Sequence, residues 1–139
     1  MVNILIVTHG EFGAYAVEAA ETIVGVQTGV RSIPITPRMT VEDAKARLAA
    51  ALDELAGPDG IVMLTDIPGG TRSNLSLPLS RERAGVVVLS GLNLYMLVTA
   101  FSNRTLPLEE LSQKLLKNAA SSILDLSQLL RARAKTRVP

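Results

Sequence analysis

The one histidine of this 139-residue chain stands in Thr8-His9-Gly10, where an apolar run ends and a glycine-flanked stretch begins. An acid, Asp66, closes a second apolar run, and Pro68-Gly69-Gly70-Thr71-Arg72-Ser73 follows it. A carboxylate that accepts the Nδ1 proton of an imidazole fixes its tautomer and leaves Nε2 as a free nucleophile. The same carboxylate stabilises the imidazolium that forms when Nε2 bonds to an electrophile. A Gly-Gly turn that opens a helix presents backbone N–H groups with the positive end of a helix dipole behind them, which suits an anion and phosphate above all. Thr8, Thr71 and Ser73 add hydroxyl donors, and the planar fork of Arg72 can grip phosphate through two parallel bonds. The parts describe a histidine that carries a phosphoryl group. His9 and Asp66 are the catalytic pair, and Thr8, Gly69, Gly70, Thr71, Arg72 and Ser73 are the phosphate-binding set.

Each part also has a plain structural reading. A lone histidine is often structural or simply exposed, an aspartate at this place can cap the next helix, and Gly-Gly can be an ordinary turn. Arg72 reads equally as a solvated surface charge. Asn93, in Ser90-Gly91-Leu92-Asn93, reads as a helix cap, and Arg131, Arg133, Lys135 and Arg137 as a solvated helix end. What raises the site reading is convergence of the histidine, the acid and the glycine turn on one edge.

Composition removes several alternatives. The chain has no cysteine, so disulfides, thiolate metal sites and cysteine nucleophiles are excluded. One histidine excludes a multi-histidine metal site within a chain, and no metal or other cofactor is expected. A net charge of +1 implies no global attraction to nucleic acid. There is no G-x-S-x-G elbow and no P-loop, and "HGEFGAY" does not satisfy G-x-G-x-x-G. No apolar run approaches the roughly 20 residues that cross a bilayer, and "MVNILIVTHG" lacks the basic start and cleavage site of a signal peptide. A cytoplasmic protein, not membrane-embedded, is the expectation.

The elements must then place these groups together. Val2–Thr8, Gly60–Asp66 and Gly85–Ser90 read as strands buried on both faces. Val30–Ile35 contains Pro34 and reads as an edge strand. Phe12–Val24 reads as a helix with Ala16, Ala19, Ala20 and Ile23 at helical spacing. A second helix follows Thr40 to Ala56, with Thr40 and Asp43 approximating a capping box. A short helix near Ser73–Glu82 is expected to bend at Pro78, and Asn93–Phe101 is helical. Leu108 to about Arg133 reads as one last helix carrying Leu108, Leu111, Leu115, Ala119, Ile123, Leu126 and Leu130. The alternation predicts an α/β fold: a single doubly wound, mostly parallel sheet of about four strands with helices on both faces. In such sheets sites lie beyond the carboxyl ends of the strands, where His9, Asp66 and Ser90 all fall.

These residues resemble the mannose-family enzyme IIA domain of the bacterial phosphoenolpyruvate-dependent sugar phosphotransferase system. The resemblance runs from Val2 to about Leu130 and rests on three elements in order. They are Thr8-His9-Gly10 after the first strand, Asp66 with Gly69-Gly70-Thr71 and Asn74, and Gly91-Leu92-Asn93 with Met96-Leu97. Arg72 and Tyr95 stand where the family pattern has proline. The resemblance implies that His9 is the phosphorylated residue and that Asp66 pairs with it. It implies an HPr-like phosphocarrier as donor, and a IIB domain or a regulatory target as acceptor. It further implies a homodimer, which some members build by exchanging a C-terminal strand. Residues 1–134 are then the IIA phosphocarrier domain and 135–139 a short basic tail, a stand-alone IIA with no IIB domain following. Two alternatives stay open: a non-catalytic binding module of the same fold, and a small-molecule phosphate-ester enzyme using His9.

Overall fold

Along Asn3–His9 the side chains alternate between two apolar environments. Val2, Ile4 and Ile6 join one buried cluster, and Leu5 and Val7 join another. A strand covered on both faces is why this segment reads as a continuous apolar run. A computed structural model describes residues 1–67 and 75–137. Four parallel strands, β1 (Asn3–His9), β2 (Val30–Ile35), β3 (Ile61–Thr65) and β4 (Val86–Leu89), form one open sheet in the order β2-β1-β3-β4. Pro34 sits on an edge strand, where its missing N–H removes no ladder bond.

Helices α1 (Phe12–Val24), α4 (Leu94–Ser102) and α5 (Leu108–Ser121) cover the first cluster. Helices α2 (Val41–Leu55) and α3 (Ser76–Arg81) cover the second. In α2 the buried positions are Ala44, Leu48, Ala51, Leu52 and Leu55, the stripe of an amphipathic helix. Each of its buried leucines contributes roughly 1.5–3 kcal/mol of transfer free energy. Thr40 caps α2, its side chain accepting the Asp43 N–H at 3.0 Å, and Gly57-Pro58 follow the helix.

The amino edge of the sheet is tied by Arg104, which is buried. Its Nε donates to Val2 O, Nη1 to Thr28 O and Gln27 Oε1, and Nη2 to Gly29 O and Asn3 Oδ1. All five guanidinium N–H groups are thereby occupied by neutral acceptors. Burial pulls the Arg104 pKa below its ordinary value. A cleft of about 590 Å³ opens beside it, lined by Met1, Asp59, Gly85 and Leu108, but Arg104 has no donor left to offer an anion there.

Three expectations need correction. The last helix is not continuous. α5 ends at Ser121, and a separate helix, α6 (Leu126–Arg137), follows. Ser121 and Ser122 bend their hydroxyls back to Asn118 O and Ala119 O, and Asp125 caps α6 by accepting the Gln128 N–H at 2.9 Å. The apolar stripe accordingly stops packing after Ala119; Ile123, Leu126 and Leu130 are exposed. Secondly, the short helix runs Ser76–Arg81 among the described residues, and its expected start near Ser73 lies outside them. Pro78 is its third residue, in the first turn where no intrahelical N–H is needed, so it interrupts nothing. Thirdly, α1 turns Gly13, Ala16, Val17, Ala20 and Val24 toward the core and leaves Ile23 exposed.

Candidate functional site

β1 and β3 are neighbours in register, with Val7 opposite Thr65. The next residues out along these strands are therefore Thr8-His9 on one and Asp66 on the other. That register brings the histidine and the acid together at the carboxyl edge. The His9 Nδ1 lies 3.0 Å from Asp66 Oδ2 and 3.2 Å from Oδ1. Both carboxylate oxygens are also held by backbone. The His9 N–H donates to Oδ2 at 3.0 Å and the Ile67 N–H to Oδ1 at 2.8 Å. The side chain of Asp66 is 14% exposed and that of His9 61% exposed. The acid is thus a fixed acceptor below the rim, and the imidazole stands out in solvent. With Nδ1–H donated to the carboxylate, Nε2 carries the lone pair, and among the described residues it has no hydrogen-bond partner.

Burial alone would raise the Asp66 carboxyl pKa. The hydrogen bonds from the His9 backbone, the His9 ring and the Ile67 backbone, with the charge of His9, outweigh it and hold Asp66 below its ordinary value of 3.8. A group with a depressed folded pKa adds stability that is complete above its unfolded pKa and is lost as pH falls through the folded one. In chemical denaturation, the stability difference between the wild type and Asp66→Asn should be level near neutrality and shrink only below about pH 4. A difference that instead fades between pH 6 and 8 would contradict this assignment.

The turn out of β1 is short because of two glycines. Gly10 has φ of 59°, the left-handed region, and its N–H donates to Ile35 O at 2.9 Å. Gly13 lies where α1 crosses the sheet. A Cβ there would meet Ser32 Oγ, Thr8 Oγ1 and Ile6 Cγ2 within 2.9 Å. Thr8 fixes this crossing: its hydroxyl accepts the Gly13 N–H at 2.8 Å and donates to Gly10 O at 3.3 Å. Thr8 is 1% exposed, so its hydroxyl is engaged by backbone on the face away from His9 and positions the histidine turn. Thr8→Val keeps the shape and strands a buried N–H. It should cost about 1–3 kcal/mol in equilibrium unfolding, with Thr8→Ser far milder. Unchanged stability in Thr8→Val would remove the anchoring role.

Gly69, Gly70, Thr71, Arg72 and Ser73 lie outside the described residues. Asn93 is a cap, its Oδ1 accepting the Met96 N–H at 2.9 Å, and Ser90 is exposed. One feature escaped the sequence reading. The chain has two phenylalanines and two tyrosines, and Phe12, Tyr15 and Tyr95 are all exposed on the first turns of α1 and α4. Both helices leave the carboxyl edge, so these aromatics stand around the site. The available signal was position, since each follows a strand end within a few residues.

A family profile described as "PTS system fructose IIA component" matches residues 3–120, from the start of β1 almost to the end of α5. The chain belongs to this mannose-type IIA family. Solved structures agree. The phosphotransferase component EIIA from Streptococcus agalactiae is 34% identical with a TM-score of 0.83, the match covering 92% of this chain and 99% of that one. The IIA protein associated with the fucose utilization operon of Streptococcus pneumoniae is 28% identical with a TM-score of 0.81, covering 94% and 99%. The mannose/sorbose-specific IIA subunit from Enterococcus faecalis shares the fold at 23% identity and a TM-score of 0.82, covering 89% and 93%. The chain is therefore a component of the sugar phosphotransferase system. No helix among the described residues is long and apolar enough to cross a membrane.

Proposed function

We propose that this IIA chain carries a phosphoryl group on His9 Nε2. It receives the group from the phosphohistidine of an HPr-like carrier and passes it to a IIB-type acceptor. In each step the Nε2 lone pair, or the acceptor's nucleophile, attacks phosphorus in line. One P–N bond breaks as the new bond to phosphorus forms, with no change of oxidation state. Little covalent chemistry is asked of the protein beyond positioning and charge stabilisation. The observation that carries this reading is the pairing of an exposed imidazole with a buried, backbone-held carboxylate through Nδ1. Asp66 keeps the proton on Nδ1, directs the nucleophile outward and offsets the positive charge of the phosphorylated ring.

Several finer assignments belong to the same proposal. Residues 1–134 work as one phosphocarrier domain in the cytoplasm, without a metal or other cofactor. Gly69, Gly70, Thr71, Arg72 and Ser73 cradle the phosphoryl oxygens through backbone N–H, hydroxyl and guanidinium donors. Phe12, Tyr15 and Tyr95 are the apolar rim on which the protein partners settle, in keeping with aromatic enrichment at interfaces. The subunit pairs as a homodimer. The test is to incubate the chain with phosphoenolpyruvate, enzyme I and HPr. The expected product is one acid-labile, base-stable phosphate per chain. Acid-stable phosphate, or none, would overturn the reading.

A further inference from the structure

The turn that leaves β2 stands beside the histidine. Ile35, the last residue of β2, is the register partner of His9, and its carbonyl accepts the Gly10 N–H at 2.9 Å. Thr36-Pro37-Arg38-Met39 follows as a tight turn, closed by the Met39 N–H donating to Thr36 O at 3.1 Å. Pro37 stands at its second position, where a φ fixed by the ring suits such a turn. Met39 is buried in the core cluster under α2, so the turn is pinned at both ends. Arg38 is exposed at the outer corner. Among the described residues its guanidinium forms no ion pair or hydrogen bond, although Glu11, Glu42 and Asp43 lie on the segments either side. It is also the only lysine or arginine on the described segments that lead from a strand's carboxyl end into the next helix.

The ring geometry decides which side of His9 a phosphoryl group would occupy. In the sheet order β2-β1-β3-β4, β2 and β3 flank β1 on opposite sides. Asp66, at the end of β3, holds Nδ1 toward that strand. The outward bonds of Nδ1 and Nε2 point apart by well over a right angle across the five-membered ring. A group on Nε2 is therefore directed away from β3, toward the flank where β2 ends. Adjacent strands are about 4.8 Å apart, a gap that an arginine side chain spans. A phosphoryl group brings about two negative charges. It brings them to an edge that already carries Glu11, Glu42, Asp43 and Asp66. A free guanidinium on that flank offsets this charge, and its planar fork can bond two phosphoryl oxygens at once. We infer that Arg38 binds the phosphoryl group on His9 Nε2 from the β2 side and so stabilises the phosphorylated state.

This inference rests on the carrier reading and deepens it, so the test separates the two. Phosphoramidate phosphorylates histidine without a protein partner and serves as the probe. The phosphorus NMR signal of the phosphoprotein so prepared is followed with pH. A neighbouring cation favours the more highly charged form. The second ionisation of the phosphoryl group should therefore lie about half a pH unit higher in Arg38→Ala than in the wild type. Arg38→Lys keeps the charge and should recover most of that difference. The phosphoryl equilibrium with HPr should move about three-fold toward HPr in Arg38→Ala, the same free energy as half a pH unit, with Arg38→Lys between. The Arg38 side chain holds no other part of the described fold, so the variants should fold. A titration and an equilibrium both unchanged in Arg38→Ala would overturn the inference. Slower transfer from HPr with both unchanged would overturn it too, by placing the guanidinium on the partner. A chain labelled on His9 by phosphoramidate but never by phospho-HPr would count against the carrier reading, while the titration would still judge Arg38. A His9 that neither reagent phosphorylates would overturn both.

Discussion

His9→Ala should take up no phosphate from the reconstituted phosphoenolpyruvate, enzyme I and HPr cascade, whereas the wild type should approach one phosphate per chain. The effect is complete because this is the chain's one imidazole, and no cysteine can substitute as nucleophile. The side chain is exposed at the strand end and lies in neither core cluster. The variant should therefore fold, losing only the bonds through Nδ1. Labelling is read after acid and base treatment, since phosphohistidine is acid-labile. A His9→Ala chain that still labels would place the phosphoryl group elsewhere.

Asp66→Asn should slow phosphoryl transfer by about one to two orders of magnitude, the rate equivalent of losing a charged hydrogen bond worth roughly 1.5–3 kcal/mol. The geometry adds a second consequence. Both carboxylate oxygens accept a backbone N–H, one from His9 and one from Ile67. An amide has only one acceptor oxygen, so either rotamer turns its NH₂ group toward an N–H donor. The substitution should therefore also lower stability, by about 1–3 kcal/mol. Rapid-quench transfer kinetics below the variant's melting range separate the two effects. A transfer rate equal to wild type would remove Asp66 from the chemistry and leave it a structural acceptor.

Much of this architecture was legible because β1, β3 and β4 are short apolar runs at the spacing of a parallel sheet, with glycines and caps between them. The end of α1 follows from Gly25 and the start of β2 from Gly29, and Pro34 marks β2 as an edge strand. The juxtaposition of His9 and Asp66 was legible for the same reason, since a parallel sheet sends its strand ends to one edge. Three things were hidden. Ala119, Ile123, Leu126 and Leu130 keep helical spacing across a break that polar side chains make, although Asp125 with Gln128 is itself a cap signature. Thr8 reads as a hydroxyl beside a histidine, but strand alternation turns it to the opposite face, toward Gly13. The outward stripe of α1 was masked because alanines, valines and an isoleucine fill both of its sides, so composition alone did not say which side meets the core.

The atom that bears the phosphoryl group is the most direct point of contact between this geometry and its function. The phosphorylated, ¹⁵N-histidine-labelled protein gives a single imidazole whose two nitrogens are distinguished by NMR coupling to phosphorus and to the ring protons. Phosphorus on Nε2 with the proton retained on Nδ1 is the predicted result. Phosphorus on Nδ1, which would require the contact with Asp66 to break, or an unmodified His9 in a labelled chain, would contradict it.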